Sequence, residues 1–190
     1  LQTLKNQAST ADKDQLDKLH KTVLEETEKA FQKAAEIKQD YAPAHFLMAQ
    51  TALRLGNMAS AIRSTENAKL SAPFDIGIAF QLGLLYYQNN NLTAAQAEFE
   101  RALYLNPNYS NARYFLGLVY DRRGNKKGAA DQFQQVLALN PDNQEIKNIL
   151  ANLGAGKPAL SGIAPPGTPP EKRSTAPVEE KTRVETRIKK

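Results

Sequence analysis

At 190 residues, 41% of them hydrophobic, the chain has apolar material for one domain of ordinary size with a tail left over. It contains no cysteine, which removes disulfide frameworks, thiolate nucleophiles and Cys-ligated metals, and its longest apolar run, Ile76 to Tyr87, is about a dozen residues broken by Gln81 against roughly 20 for a bilayer span. The formal charge of +5 is concentrated at the end: residues 154–190 carry 8 Lys/Arg and 4 Glu, leaving 17 Lys/Arg against 16 Asp/Glu for residues 1–153, so a nucleic-acid reading lacks a basic face.

Leu1 stands where an initiator Met would, so sequence upstream is expected, and no Arg-rich presequence or apolar signal core opens the chain. Leu1, Leu4 and Ala8 fall at helical spacing. Asp12 followed by Gln15 is a capping-box pair that predicts a helix start. From there Leu16, Leu19, Val23, Ala30, Phe31, Ala34 and Ile37 recur every three to four residues as one apolar stripe.

A second periodicity then takes over. Leu82-Gly83, Tyr86, Ala95, Phe99 and Asn106-Pro107 return 34 residues later as Leu116-Gly117, Tyr120, Ala129, Phe133 and Asn140-Pro141. Residues 42–75 hold a diverged copy with Met48-Ala49, Ala52, Ala61, Thr65 and Pro73 at the same places. Small residues here predict close helix crossings, because larger ones would overpack. Asn57, Asn91 and Asn125 sit where second helices need N-caps, and Pro73, Pro107 and Pro141 close each unit. Asp142 with Glu145 predicts a further helix start, with Ile146, Ile149, Leu150 and Leu153 as the apolar side of a capping helix.

This pattern resembles the tetratricopeptide repeat, although Ala79 and Arg113 hold the place of its opening Trp. The resemblance implies an all-α solenoid of antiparallel helix pairs in a right-handed superhelix. The domains are then an N-terminal helical segment at 1–41, a degenerate repeat or cap; three repeats at 42–75, 76–109 and 110–143 with a capping helix at 144–153; and a tail at 154–190. Six of ten prolines and four of ten glycines lie in that tail, whose few apolar groups predict disorder, with at most a turn of helix over 179–190. Its Pro166-x-x-Pro169 reads as linker rather than polyproline ligand.

Chemistry is sparse. His20 and His45 lie on different helices, no phosphate loop or metal-spaced cluster occurs, Glu25 and Lys29 make a solvated pair, and Arg122, Arg123, Lys126 and Lys127 read as a solvated turn. No enzyme activity, cofactor or metal is implied. In tetratricopeptide repeats the first helices line an inner groove, which here implies Phe46, Gln50 and Arg54, then Phe80, Leu84, Tyr87 and Gln88, then Tyr114, Leu118, Asp121 and Arg122. Some relatives grip a C-terminal carboxylate with Lys, Arg and Asn. Phe46, Gln50, Gln81, Asn111 and Phe115 occupy those places, so the expectation is an apolar or amphipathic peptide or helix of a protein partner, anchored on Phe80, Tyr87 and Tyr114. The alternative for these aromatics is packing between repeats. No specific nucleic acid and no membrane insertion are expected. The rival function is a spacer or assembly domain at the soluble end of a larger bacterial membrane or envelope protein. Asn106-Pro107-Asn108-Tyr109 and Gly156-Lys157-Pro158-Ala159-Leu160 resemble the C-terminal repeats of such proteins, with an anchor upstream of Leu1 and a cytoplasmic or envelope-facing location.

Overall fold

A computed structural model of the chain describes residues 10–163, 170–172 and 176–180. These are helix, turn or coil, with no strand among the described residues, and they divide into two compact units, Leu1–Pro73 and Phe74–Lys190. The helix expected at Leu1 to Ala8 lies outside the described residues.

The first unit contains α1 (Thr10–Ile37), α2 (Ala42–Arg54) and α3 (Met58–Ser71). Asp12 sits inside α1, so the capping-box start expected there is corrected. The apolar stripe of α1 is only half used. Leu24 and Ala35 are buried, whereas Leu16, Leu19 and Val23 are 65%, 61% and 51% exposed. Length explains this: 28 helical residues reach about 42 Å and the 13 of α2 about 20 Å, so α2 cannot cover the first half of α1. The α2–α3 pair closes on small residues, with Ala49, Ala52, Ala61, Thr65 and Ala68 all buried. His45 has a partner after all: its Nε2 lies 2.9 Å from the Gln39 carbonyl. On α1 the close ion pair is Lys21–Glu25 at 3.9 Å rather than Glu25–Lys29.

The second unit runs through α4 (Ile76–Gln88), α5 (Leu92–Leu105), α6 (Ser110–Arg122), α7 (Lys126–Leu139) and α8 (Gln144–Gly154). Helices α4, α6 and α8 form its inner layer, α5 and α7 its outer one. The crossings need glycine. A Cβ on Gly83 would stand 2.6 Å from the Phe99 ring, and one on Gly117 would stand 2.7 Å from Phe133. Asn57, Asn91 and Asn125 cap as expected, accepting the amides of Ser60, Ala94 and Gly128. The cap of α8, however, is Asn143, which accepts from Ile146 at 3.1 Å, and not Asp142. Its side chain stands three residues before the amide it satisfies, the spacing used by the other asparagines.

The turn between paired helices is built the same way each time: a left-handed residue at Gly56, Asn90 or Gly124, then a backbone bond from the next amide back to residue 52, 86 or 120. The same turn follows α8 at Gly156, with the Lys157 amide bonded to the Asn152 carbonyl at 2.9 Å. Here Lys157 replaces the capping asparagine and offers no acceptor. Two short turns over residues 158–163 stand where a helix would begin.

The expectation of a disordered tail is corrected for its described part. Ala159 and Val178 are 0% and 3% exposed and belong to the same apolar cluster as Tyr87, Tyr114 and Ile146. A single 3-10 turn spans Pro170–Lys172. The segment lacks a core of its own and borrows that of the repeats. The Pro166-x-x-Pro169 stretch, and all of 179–190 beyond Glu180, lie outside the described residues.

Candidate functional site

Phe80, Leu84, Tyr87 and Gln88 lie on α4 and Tyr114, Leu118, Asp121 and Arg122 on the neighbouring α6. The aromatics are mostly spent on packing between repeats. Phe80 lies 5.0 Å from Tyr109 and 5.8 Å from Phe115, Phe115 lies 5.4 Å from Tyr114, and Tyr114 meets Phe133 edge-on at 5.5 Å. Tyr114 has no exposed surface, and its hydroxyl donates to Glu145 Oε1 of α8 at 2.6 Å. As an open anchor it is corrected: α8 lies over it. Leu118 and Tyr87 are also buried, while Phe80, Leu84 and Gln88 are half-buried. Burial raises the Tyr87 hydroxyl pKa, and the Arg122 guanidinium, 4.8 Å above the ring, pulls the other way. In the first unit Phe46 is half-buried and Gln50 and Arg54 are exposed on α2.

The turn cations are engaged. Arg122 donates to Asn90 at 2.7 Å, Arg123 to Gln96 at 2.5 Å, and Lys126 pairs with Asp121 at 2.5 Å. Arg122, Arg123 and Lys127 are exposed and Lys126 is half-buried, so most of the group keeps its solvated character.

The polar half of the layer holds polypeptide. Asp121 Oδ2 accepts the Ala159 amide at 2.9 Å, and Asn152 Nδ2 donates to the carbonyls of Ala159 and Ser161. Gln88 Nε2 reaches the Glu171 carbonyl at 3.3 Å. Asn111 grips Val178 by both main-chain groups, donating from Nδ2 to its carbonyl at 2.9 Å and accepting its amide on Oδ1 at 3.2 Å. Glu180 then lays its carboxylate on the start of α6, accepting from the amides of Ser110 at 2.9 Å and Asn111 at 2.7 Å and from Asn111 Nδ2 at 2.6 Å. Tyr109, the N-cap of α6, makes no side-chain cap, so an outside carboxylate takes that role beside the positive end of the helix. Burial, and secondly Glu180, push the Tyr109 hydroxyl up to about 12.

A carboxylate is therefore held by Asn111 Nδ2 and the backbone amides of Ser110 and Asn111. The sequence pattern marks Asn111 only as one of the residues standing where a clamp would be, and does not single out Asn152, Glu171, Val178 or Glu180. The signal available was an asparagine on an inner helix position in α6 and again in α8. Among the described residues no group of His, Asp and Glu could hold a metal, and no helix is long and apolar enough to cross a membrane.

Helix pairs with glycine crossings, asparagine-capped second helices and an inner layer carrying polypeptide define an α-helical repeat protein. Residues 80–158 match the family model of the tetratricopeptide repeat. Solved structures share the fold. MamA is 22% identical, with a TM-score of 0.64 over 81% of this chain and 90% of its own. YrrB, titled a TPR protein with an unusual peptide-binding site, is 20% identical, with a TM-score of 0.64 over 78% and 77%. The first TPR of Spaghetti (RPAP3), bound to the HSP90 peptide SRMEEVD, is 19% identical, with a TM-score of 0.57 over 60% and 91%. No curated protein gives a significant match.

Proposed function

We propose that the chain is a non-catalytic protein-interaction module, and that the inner layer of α4, α6 and α8 is its groove for a partner peptide. One observation carries this: a non-helical stretch of polypeptide already lies there, held through its main chain by Asn111. Main-chain recognition is what a peptide site needs, since every peptide offers the same amide and carbonyl. The YrrB and Spaghetti structures, whose titles name a peptide or a peptide-binding site, support the reading. Phe80, Leu84, Gln88, Asn111, Asp121 and Arg122 would carry it, with the ligand in non-helical backbone. Selection of random peptides on the intact chain, followed by amide-shift mapping, tests it. Selected peptides should move the amides of Gln88, Asn111 and Asp121; shifts confined to α5 and α7 would overturn the assignment.

A second reading, assembly through α1, has the exposed row of Leu16, Leu19 and Val23 in its favour. Replacing all three with Asp should abolish any self-association of the intact chain; an unchanged sedimentation profile of an associating chain would end that reading.

A further inference from the structure

Resting on the groove reading, we propose that residues 176–180, Ala-Pro-Val-Glu-Glu, are a ligand built into the chain. They would keep the site on α6 closed until displaced by a partner segment of the same chemistry: a non-helical backbone presenting a small aliphatic side chain and a carboxylate two positions later.

The chemistry is legible in the contacts. The chain bends at Pro177 and Val178, Val178 is buried, and Glu180, exposed like Glu179, reaches the α6 amides with its carboxylate. Pro177 restricts its own φ and disfavours helix in Ala176, which favours non-helical backbone before docking. Asn111 reads the main chain at Val178, and Asn143 Nδ2 adds a bond to the Pro177 carbonyl at 3.4 Å. With Glu171 beside Gln88 near the C-terminal end of α4 and Glu180 at the N-terminal end of α6, the segment runs antiparallel to α6.

The same list says why the segment is displaceable. Val178 is its one buried side chain, and the remaining bonds are main-chain bonds or bonds to a carboxylate, which a partner segment with an acidic residue two positions later could make. Tethering supplies what contact area does not, because a short linker gives an effective concentration on the order of millimolar. A free peptide must outcompete that, so detaching the tether end should open the site.

The test uses full-length chains and a fluorescein-labelled peptide of residues 174–184. Val178→Asp with Glu180→Lys should bind the peptide at least about tenfold more tightly than wild type does. Adding Asn111→Ala should remove the gain. Circular dichroism verifies folding, and the isosteric Glu180→Gln repeats the comparison if the double substitution misfolds. Equal binding by wild type and the freed chain would show the segment is not the occupant. Binding by neither would show it is structural and no ligand, while peptides selected from the library could still map to the groove. A concentration-dependent wild-type dimer abolished by the double substitution would move the occupant to a second copy and overturn the assignment within one chain.

Discussion

Glu180 and Asn111 meet across 69 positions of sequence, with the carboxylate 2.7 Å from a helix-start amide that its own N-cap leaves unserved. Replacing Glu180 with Ala should behave as loss of a helix cap, costing about 0.5–2 kcal/mol. Denaturant unfolding should show a lower midpoint, and hydrogen exchange should quicken at Ser110 and Asn111. Unchanged protection at both amides would mean the carboxylate is not seated there.

Removing residues 154–190 should lower the melting temperature, because Ala159 and Val178 leave the core with them. Burial of a valine-sized side chain is worth about 1.5–3 kcal/mol. A melting temperature within a degree of wild type would restore the view of this segment as solvated tail.

Gly117→Ala places a methyl 2.7 Å from the Phe133 ring, in a site where that ring is fully buried. Overpacking of this kind costs about 1–3 kcal/mol. Thr65 and Ala49 hold the corresponding places in the first unit and both are buried, so Gly117→Ala with Phe133→Thr should cost less than the sum of the two single changes. Additive destabilisation in the pair would refute the contact.

Tyr109 should titrate near pH 12 in the folded chain, followed by its phenolate absorbance. Its folded pKa lies above the unfolded value of about 10, so the stability it contributes is complete below pH 10 and disappears between roughly 10 and 12. Glu180→Gln should lower the midpoint but leave it raised, since burial is the larger cause. A midpoint that does not move would separate the two residues.

Tyr114→Ala should act as a core truncation, costing about 3–5 kcal/mol, the range for buried aromatics. Full retention of stability would contradict its place between α7 and α8.

The repeat lattice was legible because its contacts are local. Glycine and phenylalanine of one crossing lie within a single helix pair, and each asparagine caps an amide three residues ahead. The burial of Tyr114 was not: the 34-residue shift aims it at the inner layer, but nothing in the pattern says that Glu145 comes to rest on its hydroxyl. The stripe of α1 shows the converse limit, since periodicity marks an apolar face without supplying a neighbour for Leu16 and Leu19. Composition misled at Val178. A count of apolar groups measures the core a segment can build alone, and this one docks onto residues 67 positions away.

The turn at Gly156 decides where the rest of the chain can go. A second helix as long as α7, 14 residues, begun at Pro158 would run through Glu171 in the outer layer. The residues that follow would then emerge on the far side from Asn111. Because residues 158–163 form turns in place of that helix, the half-finished repeat leaves the chain on the side where Gln88 meets Glu171 and Asn111 meets Val178. Repeat number and self-occupancy are therefore linked in this architecture: completing one more unit at the C-terminus would evict the segment, and vacancy of the groove could arise by a gain of sequence as readily as by a loss.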